Sequence, residues 1–165
     1  NKPWLRRVWL NWTRRDLISM KLLRRPARFA LLAALDIALH ARGRPVSSKE
    51  LAGRYDLPPR RLEVLLQAMV RVGILRSLRG PAGGYELARE RRRICVGEIV
   101  RVALGVDEEV GSAPSPLDQL MDPVLAEAEE RALAYLDGVN LDTLYTGALA
   151  LEDKDKLELL GDFNI

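Results

Sequence analysis

Apolar residues repeat at three- and four-residue steps from Pro26 onward, and the first such stretch predicts a buried helix. Phe29 and Ile37 lie on its apolar face. Proline suits the first turn of a helix because its missing N–H is not needed there, and Gly43 is expected to end the helix. His40, close to that end, is expected to supply a favourable end charge or to be a packed ring.

Two shorter helices follow, separated by a brief turn. Ser47 and Glu50 have the spacing of a capping box, which predicts a helix running to about Arg54. A Pro-Pro pair at 58–59 then opens a second helix, and Gly73 ends it. Two short helices joined by a tight turn, after a longer first helix, are typical of a helix-turn-helix.

A β-hairpin is predicted after Gly73. Residues 74–78 and 85–87 form its strands, and the glycine-rich stretch 79–84 (RGPAGG) forms the turn. We call this hairpin, residues 74–87, the wing. A phosphate-binding loop is a poor interpretation of the same glycines, because the Lys-Ser/Thr pair and the strand-to-helix context are missing. The pattern therefore predicts a mostly α fold with a small β-hairpin wing, a winged helix-turn-helix.

A second long apolar stripe lies near the C-terminus, beyond a predicted helix at 96–104 and a polar, proline-containing linker. With no other large domain to cover it, a helix of this kind is a natural dimerisation element; packing back on its own winged helix is the alternative. The stripe residues assigned to dimerisation are Leu117, Leu120, Met121, Val124, Leu125, Ala128, Ala132, Tyr135 and Leu136.

The N-terminal segment differs from the rest, because three tryptophans and several arginines fall within it. Such a basic amphipathic helix can dock on a membrane surface, a partner or DNA; an upstream extension before a start at Met20, or an arm packed on its own dimer, is the simpler interpretation. The predicted organisation is an N-terminal extension at 1–19, a winged-helix domain at 20–105, a linker at 106–116, a dimerisation helix region at 117–147 and an acidic tail at 148–165 that is either a short helix or disordered.

The charge distribution is strongly asymmetric. Residues 1–104 carry 23 Lys and Arg against 8 Asp and Glu, a net charge of +15. Residues 105–165 carry 3 against 15, a net charge of −12. This pattern favours a basic surface that faces a polyanion and an acidic surface that faces away; two ordinary solvated faces are the alternative.

Candidate chemistry is sparse. The chain has one Cys and one His, which cannot form a His/Cys metal site, and Cys95 is expected to be a small packed residue in a reducing, cytoplasmic compartment. No cofactor fingerprint and no acid/base pair beside a nucleophile is present, so we expect no enzyme, no cofactor and no metal. A metal site made of carboxylates alone is the alternative, although no clustered acidic loop indicates one. Carboxylates such as Asp36 and Glu98 are expected to be caps or surface charges.

Three stretches together resemble the bacterial IscR/NsrR/CymR family of winged-helix transcription regulators: RFALLAALDIALHARG, VSSKELAGRYDLPPRRLEVLLQAMVRVGILRSLRGPAGGYELA and ICVGEIVRVALG. The resemblance runs from about Met20 to Tyr145, and its most specific parts are the RGPAGGY wing and the later VGEIV. It implies a homodimer that binds double-stranded DNA, with the second helix of each motif in the major groove and the wing arginine in the minor groove.

The positions that the resemblance carries over are Glu63 on the recognition helix and Arg79 on the wing. Glu63 could accept from a cytosine amino group, or simply complement the positive end of its helix. Arg60 and Arg61, at the start of that helix, are added as contacts to bases or phosphates, with ordinary solvated charges as the alternative. The full set assigned to DNA binding is Arg28, Ser48, Arg60, Arg61, Glu63, Gln67, Arg79, Gly80, Gly83, Gly84 and Tyr85.

The chain departs from the family at one place. Iron–sulfur members have three closely spaced cysteines before the long helix, whereas here that region is GVDEEVGSAPSPLDQLMDP, without Cys or His. We therefore expect a regulator, more specifically a repressor, without a cysteine-ligated cluster. Its control is expected to use a small ligand, a partner protein or no effector. A winged helix that binds protein instead of DNA, with or without a membrane contact from residues 1–19, is the alternative function.

Overall fold

A computed structural model describes residues 25–41, 43–106 and 116–161 of the chain. The predictions for the Trp-rich segment 1–19 and for nearly all of the linker lie outside these residues. The elements, in chain order, are α1 (Arg25–His40), α2 (Ser48–Tyr55), α3 (Pro59–Arg71), β1 (Leu75–Leu78), β2 (Gly84–Leu87), a 3₁₀ helix (Arg91–Arg93), α4 (Val96–Val106), α5 (Pro116–Asp137) and α6 (Leu141–Gly161).

The helix-turn-helix forms where the local sequence predicts it. Ser47 caps α2: its hydroxyl accepts from the Glu50 N–H at 3.2 Å, and Glu50 accepts from the Ser47 N–H at 2.9 Å. This is the predicted capping box. Asp56 ends the helix in the left-handed region at φ +49°. Pro59 stands in the first turn of α3, and Gly73, at φ +74°, follows its end.

The wing is a two-stranded antiparallel sheet that is joined to the chain before α2. Its register pairs Leu75 with Leu87 and Leu78 with Gly84. Val46 extends the sheet by an antiparallel bridge to Tyr85, with N–O distances of 2.8 and 3.0 Å. A Cβ atom on Gly84 would lie 2.6 Å from the Val46 carbonyl oxygen, so only glycine permits this close approach.

The core lies between α1, α3 and α4. Four alanines of α1 are fully buried, and their small side chains allow the other helices to pack close to it. Aliphatic side chains of α3 and α4 fill the remaining space. The largest of these buried side chains are Leu62, Leu65, Leu66, Met69, Ile99 and Val100.

The expectation that Asp36 is a cap or surface charge is wrong. Its side chain is fully buried and accepts hydrogen bonds from Arg54 and from the Tyr55 hydroxyl, the latter at 2.7 Å. The Nδ1 atom of His40 lies 3.3 Å from the same carboxylate. Burial, followed by the bond to Asp36, raises the pKa of Tyr55 to about 12. Asp36 thus joins α1 to α2, a contact that its position on the α1 helix could not reveal.

Glu98, in contrast, caps a helix as expected. Its carboxylate accepts from the Cys95 N–H at 3.0 Å, at the start of α4. Cys95 itself is partly buried and forms an isolated antiparallel bridge with Asn140.

The C-terminal helices attach to the winged helix through a short backbone pairing that we call the helix junction, residues 94–96 with 139–141. Val96 N–H donates to the Val139 carbonyl at 2.8 Å, and Leu141 N–H donates to the Ile94 carbonyl at 2.9 Å. Beyond it, α6 continues across the predicted 147/148 boundary as one helix to Gly161. In the described part of the chain, no helix combines the length and apolar character needed to cross a membrane.

Candidate nucleic-acid interface

The outer face of α3 carries most of the polar residues assigned to DNA binding. Arg60, Arg61, Glu63 and Gln67 are exposed there, while the opposite face packs into the core. The residue before the helix, Pro58, makes no side-chain cap. The first turn of α3 therefore presents backbone N–H groups and the positive end of the helix dipole next to two guanidinium groups, an arrangement that favours an anion such as a phosphate.

Three of the assigned residues meet in one hydrogen-bonded network. The Tyr85 hydroxyl donates to Glu63 Oε1 at 2.9 Å and accepts from Gln67 Nε2 at 3.0 Å. Tyr85 is buried, and desolvation together with the bond to Glu63 raises its pKa. The tyrosine thus ties strand β2 of the wing to the recognition helix, so the two parts keep a fixed relative position.

The tip of the wing is exposed and basic. Arg79 follows directly after β1, and among the described residues no acidic group pairs with it. The turn beyond it needs glycine: Gly80 has φ +113°, and a Cβ on Gly83 would collide with the Leu78 carbonyl. Gly80, Gly83 and Gly84 therefore have conformational reasons to be glycine, independent of any DNA contact.

Two of the residues assigned to DNA binding lie outside α3 and the wing. Arg28 is exposed in the first turn of α1, and Ser48 is the half-buried first residue of α2, next to the capping box.

The basic run Arg89–Arg93 has a role that its sequence pattern did not indicate. Arg91 and Arg92 both bind Asp142 of α6, at 2.9 and 3.2 Å, which lowers the pKa of that carboxyl. The Arg91 guanidinium also lies 3.7 Å from the centroid of the Tyr145 ring. These arginines hold α6 to the winged helix. The run of positive charge was a visible signal, but its acidic partner lies 50 residues away.

The apolar stripe of α5 is largely uncovered. Leu117, Leu120 and Val124 have about 70 % of their surface exposed, and Tyr135 has 74 %. Toward its end, α5 packs on α4. There Leu136 is half-buried against the core, and Arg101 makes two 2.6 Å hydrogen bonds to Asp137. One of the nine assigned residues therefore contacts its own winged helix, while the N-terminal two thirds of the stripe face solvent.

Comparison with known proteins agrees with this architecture. The sequence profile of the Rrf2 family, described as an iron-dependent transcriptional regulator, matches residues 23–147. The chain belongs to the Rrf2 family. It is a DNA-binding transcriptional regulator and not an enzyme, and both the predicted family and the predicted winged-helix fold are confirmed.

Relatives in the Rrf2 family cover most of the chain. The HTH-type transcriptional regulator IscR of Aliivibrio salmonicida is 31% identical over 125 residues, 71% of this chain and 73% of that protein. IscR of Vibrio parahaemolyticus is 28% identical over 140 residues, 80% of this chain and 82% of that protein.

Two solved structures show the same fold. That of T. potens IscR superposes with a TM-score of 0.58 at 31% identity, covering 75% of this chain and 85% of the other. That of CymR, described as the global cysteine regulator of B. subtilis, gives 0.57 at 25% identity, covering 74% and 94%.

The Rrf2 family description mentions iron, but no group of side chains among the described residues is suited to bind it. Iron–sulfur clusters are held mainly by thiolates, and the whole sequence contains a single cysteine. Cys95 is therefore without a second cysteine, and His40 lies against Asp36. In residues 25–41, 43–106 and 116–161, no three His, Cys, Asp or Glu side chains are grouped so that they could hold a metal ion.

Proposed function

We propose that this Rrf2 regulator is a homodimeric, sequence-specific repressor that contacts DNA with α3 and the wing and works without a cysteine-ligated iron–sulfur cluster. The observation that carries the proposal is the Glu63–Tyr85–Gln67 network. It couples a recognition helix that begins with two exposed arginines to a wing that ends in a third. A rigid unit of this kind can enter a major groove and the adjacent minor groove together.

The division of roles follows from where each side chain lies. Arg60 and Arg61 at the start of α3, and Arg28 on α1, are suited to phosphates or base edges, and Arg79 is suited to a narrow minor groove. The carboxylate of Glu63 keeps a second acceptor oxygen for a cytosine amino group while Tyr85 holds the first. Phosphate contacts then supply affinity, and Glu63 with Arg79 supplies sequence preference.

Selection of bound sequences from random DNA tests the interface. A palindromic site is expected. On that site, Arg60→Ala and Arg79→Ala should each weaken binding by about tenfold and reduce the salt slope by about one for each phosphate that the variant no longer neutralises. Arg131→Ala is the control, because this exposed α5 arginine pairs with Glu127 at the opposite, acidic end of the chain. Unchanged binding and salt slope in both interface variants would show that the surface is misassigned.

Dimerisation through α5 is proposed from its uncovered apolar stripe. A helix with this many exposed large side chains gains stability by packing against a partner. Leu120→Glu should turn the dimer into a monomer in sedimentation experiments and remove the preference for two half-sites. Leu151→Glu, an exposed leucine on α6 outside the stripe, is the matched control. A dimer that survives Leu120→Glu and Val124→Glu together contradicts the assignment.

We propose that the protein acts without an iron–sulfur cluster because its sequence has a single cysteine to serve as a ligand. Purified protein should be colourless and iron-free, and it should bind its operator equally well with and without an iron chelator.

Repression is tested by transcription in vitro from a promoter that contains the selected site. Addition of the protein should reduce the transcript, and an increase would identify an activator.

A further inference from the structure

A cavity of about 320 Å³ lies beside the recognition helix, apart from the proposed groove contacts of the wing. It opens between the first turns of α1, the first turns of α3 and the last residue of α4. Its walls are mainly apolar, with Pro26, Phe29, Val64, Leu65 and Val106 around it, and Arg60 and Arg61 complete the lining.

The apolar part of the cavity has room for a hydrophobic group. Leu65 forms a buried wall, Phe29 and Val106 are half-buried, and Val64 keeps 47 % of its surface exposed. Small-molecule sites are typically concave, mostly apolar and supplied with a few convergent polar groups, and about 300 Å³ is the lower end of their size range. This volume suits one aromatic ring or a short branched chain.

Arg60 supplies a positive charge to the polar part of the cavity lining. Arg60 has no acidic partner in the described part of the chain, and it stands in the uncapped first turn of α3. A guanidinium group and the N-terminal end of a helix both favour an anion, and the planar guanidinium matches a carboxylate with two parallel hydrogen bonds. Among the described residues, no carboxylate of the protein lines this cavity.

We propose that the cavity binds a small amphipathic carboxylate, whose apolar body packs between Phe29, Val64 and Val106 and whose carboxylate pairs with Arg60. The apolar lining residues, the volume and the charge of Arg60 favour this ligand class. A neutral or cationic compound of the same size lacks the ion pair, and a large fatty acid exceeds the volume.

Occupancy of the cavity is coupled to DNA binding, and in this respect the inference rests on the proposed function. Arg60 is both a cavity residue and a proposed DNA contact, and its guanidinium cannot pair with a ligand carboxylate and a DNA phosphate in the same geometry. The ligand therefore weakens operator binding, and by linkage the operator weakens ligand binding by the same factor. The carboxylate acts as an inducer that releases the regulator.

Phenylacetate and its neutral counterpart phenylacetamide test the proposal with full-length protein. Calorimetry should detect binding of phenylacetate at millimolar concentration and at least about tenfold weaker binding of the amide. Saturating phenylacetate should weaken operator binding by about tenfold, while the amide leaves it unchanged. Equal effects of the two compounds on operator binding would overturn the proposal.

Two substitutions separate the cavity from the DNA contacts. Val106→Trp fills the cavity from the end of α4 and should abolish phenylacetate binding while ligand-free operator affinity stays within about twofold of the original. Val72→Trp, at an exposed valine outside the lining, is its control. Arg60→Gln should abolish phenylacetate binding in calorimetry, whereas Arg71→Gln, an exposed arginine of the same helix outside the lining, should not.

The outcomes distinguish this inference from the proposed function. If phenylacetate does not bind the original protein, or binds Val106→Trp equally well, the cavity assignment is wrong while operator selection by the ligand-free protein still supports the regulator. If the ligand-free protein selects no operator, the proposed function fails, and calorimetry alone decides the cavity.

Discussion

Asp36 binds side chains from two helices while its own carboxylate lies entirely out of solvent. A buried charge is tolerated only when its desolvation is offset by close partners, and here Arg54, Tyr55 and His40 supply them. Because two of these partners lie on α2, the carboxylate fixes the first helix of the helix-turn-helix against α1.

Neutralising Asp36 should therefore destabilise the fold. Asp36→Asn removes the ion pair with Arg54 and one acceptor of the Tyr55 hydroxyl, at an expected cost of about 2 kcal/mol in the free energy of unfolding. Urea unfolding at constant protein concentration measures it. Asp56→Asn is the control, because Asp56 is exposed and asparagine accepts its left-handed backbone equally well. A reduction of the same size in both variants would contradict the role given to the buried carboxylate.

Glu50 gives the stability of α2 a pH dependence. Its bond from the Ser47 N–H, followed by the bond from Arg44, lowers its pKa to about 2. Because the folded-state pKa lies below the unfolded one, the stabilisation is present above about pH 4.5 and is lost as the pH falls towards 2. Glu50→Gln keeps the shape but not the charge, so its urea midpoint should be below that of the original protein at about pH 7 and approach it as the pH falls below about 4.5. A constant difference across this range would exclude the mechanism.

The contacts of Glu50 and Asp36 show which parts of the structure the sequence could predict. Ser47 and Glu50 are three positions apart, so their capping box follows from local spacing. Asp36 meets Arg54 across 18 residues and Arg91 meets Asp142 across 51, and both contacts depend on how helices pack. The position of α3 was predictable from Pro59 and Gly73, whereas the network from Tyr85 to Glu63 was not, because it needs the wing folded back on the helix.

At the scale of elements, the wing depends on two kinds of contact: a close backbone approach and a side-chain network. The first occurs at Gly84, where Val46 pairs with the next residue, Tyr85. The second joins the Tyr85 hydroxyl to α3. Either can be removed by one small substitution.

Gly84→Ala should destabilise the protein, because its Cβ would press on the Val46 backbone and force the strands apart, at a cost of about 2 kcal/mol. Gly105→Ala is the matched control, since Gly105 is an exposed position in α4 with open space around it. There alanine should stabilise the helix by about 0.5–1 kcal/mol. Thermal unfolding of both variants gives the comparison, and shifts of the same sign would contradict the packing argument.

Tyr85→Phe should affect DNA binding more than folding. Removal of the hydroxyl group costs about 1 kcal/mol of stability. It also disconnects Glu63 and Gln67 from the wing, so operator affinity should fall by about threefold to tenfold. Tyr135→Phe, on the exposed face of α5, should change neither quantity. If Tyr85→Phe binds the selected operator with unchanged affinity, the wing does not depend on this network for its position.

For the whole molecule, the helix junction and the pair of Arg101 with Asp137 fix the direction in which α5 leaves the winged helix. In the proposed dimer, this direction sets the distance between the two recognition helices, and hence the half-site spacing. The pair lowers the pKa of Asp137, but both side chains are well exposed, so its effect on stability is expected to be small.

Asp137→Asn should therefore alter spacing preference rather than stability. The original protein should discriminate strongly against operators lengthened by one base pair, and the variant should discriminate about threefold less. Asp122→Asn, an exposed residue earlier in α5, is the control. Competition binding with the two operator lengths measures the ratio. An unchanged ratio would show that the junction alone fixes the spacing.

The contacts of Arg91 and Arg92 with Asp142 also have a consequence for synthesis of the protein. The ribosome completes the arginine-rich first two thirds of the chain before the acidic last third exists. Until Asp142 emerges, these two arginines lack the carboxylate that neutralises them in the finished protein. A nascent chain is thus more cationic than the complete chain, and we expect its attraction to polyanions to weaken only when the acidic helices are made.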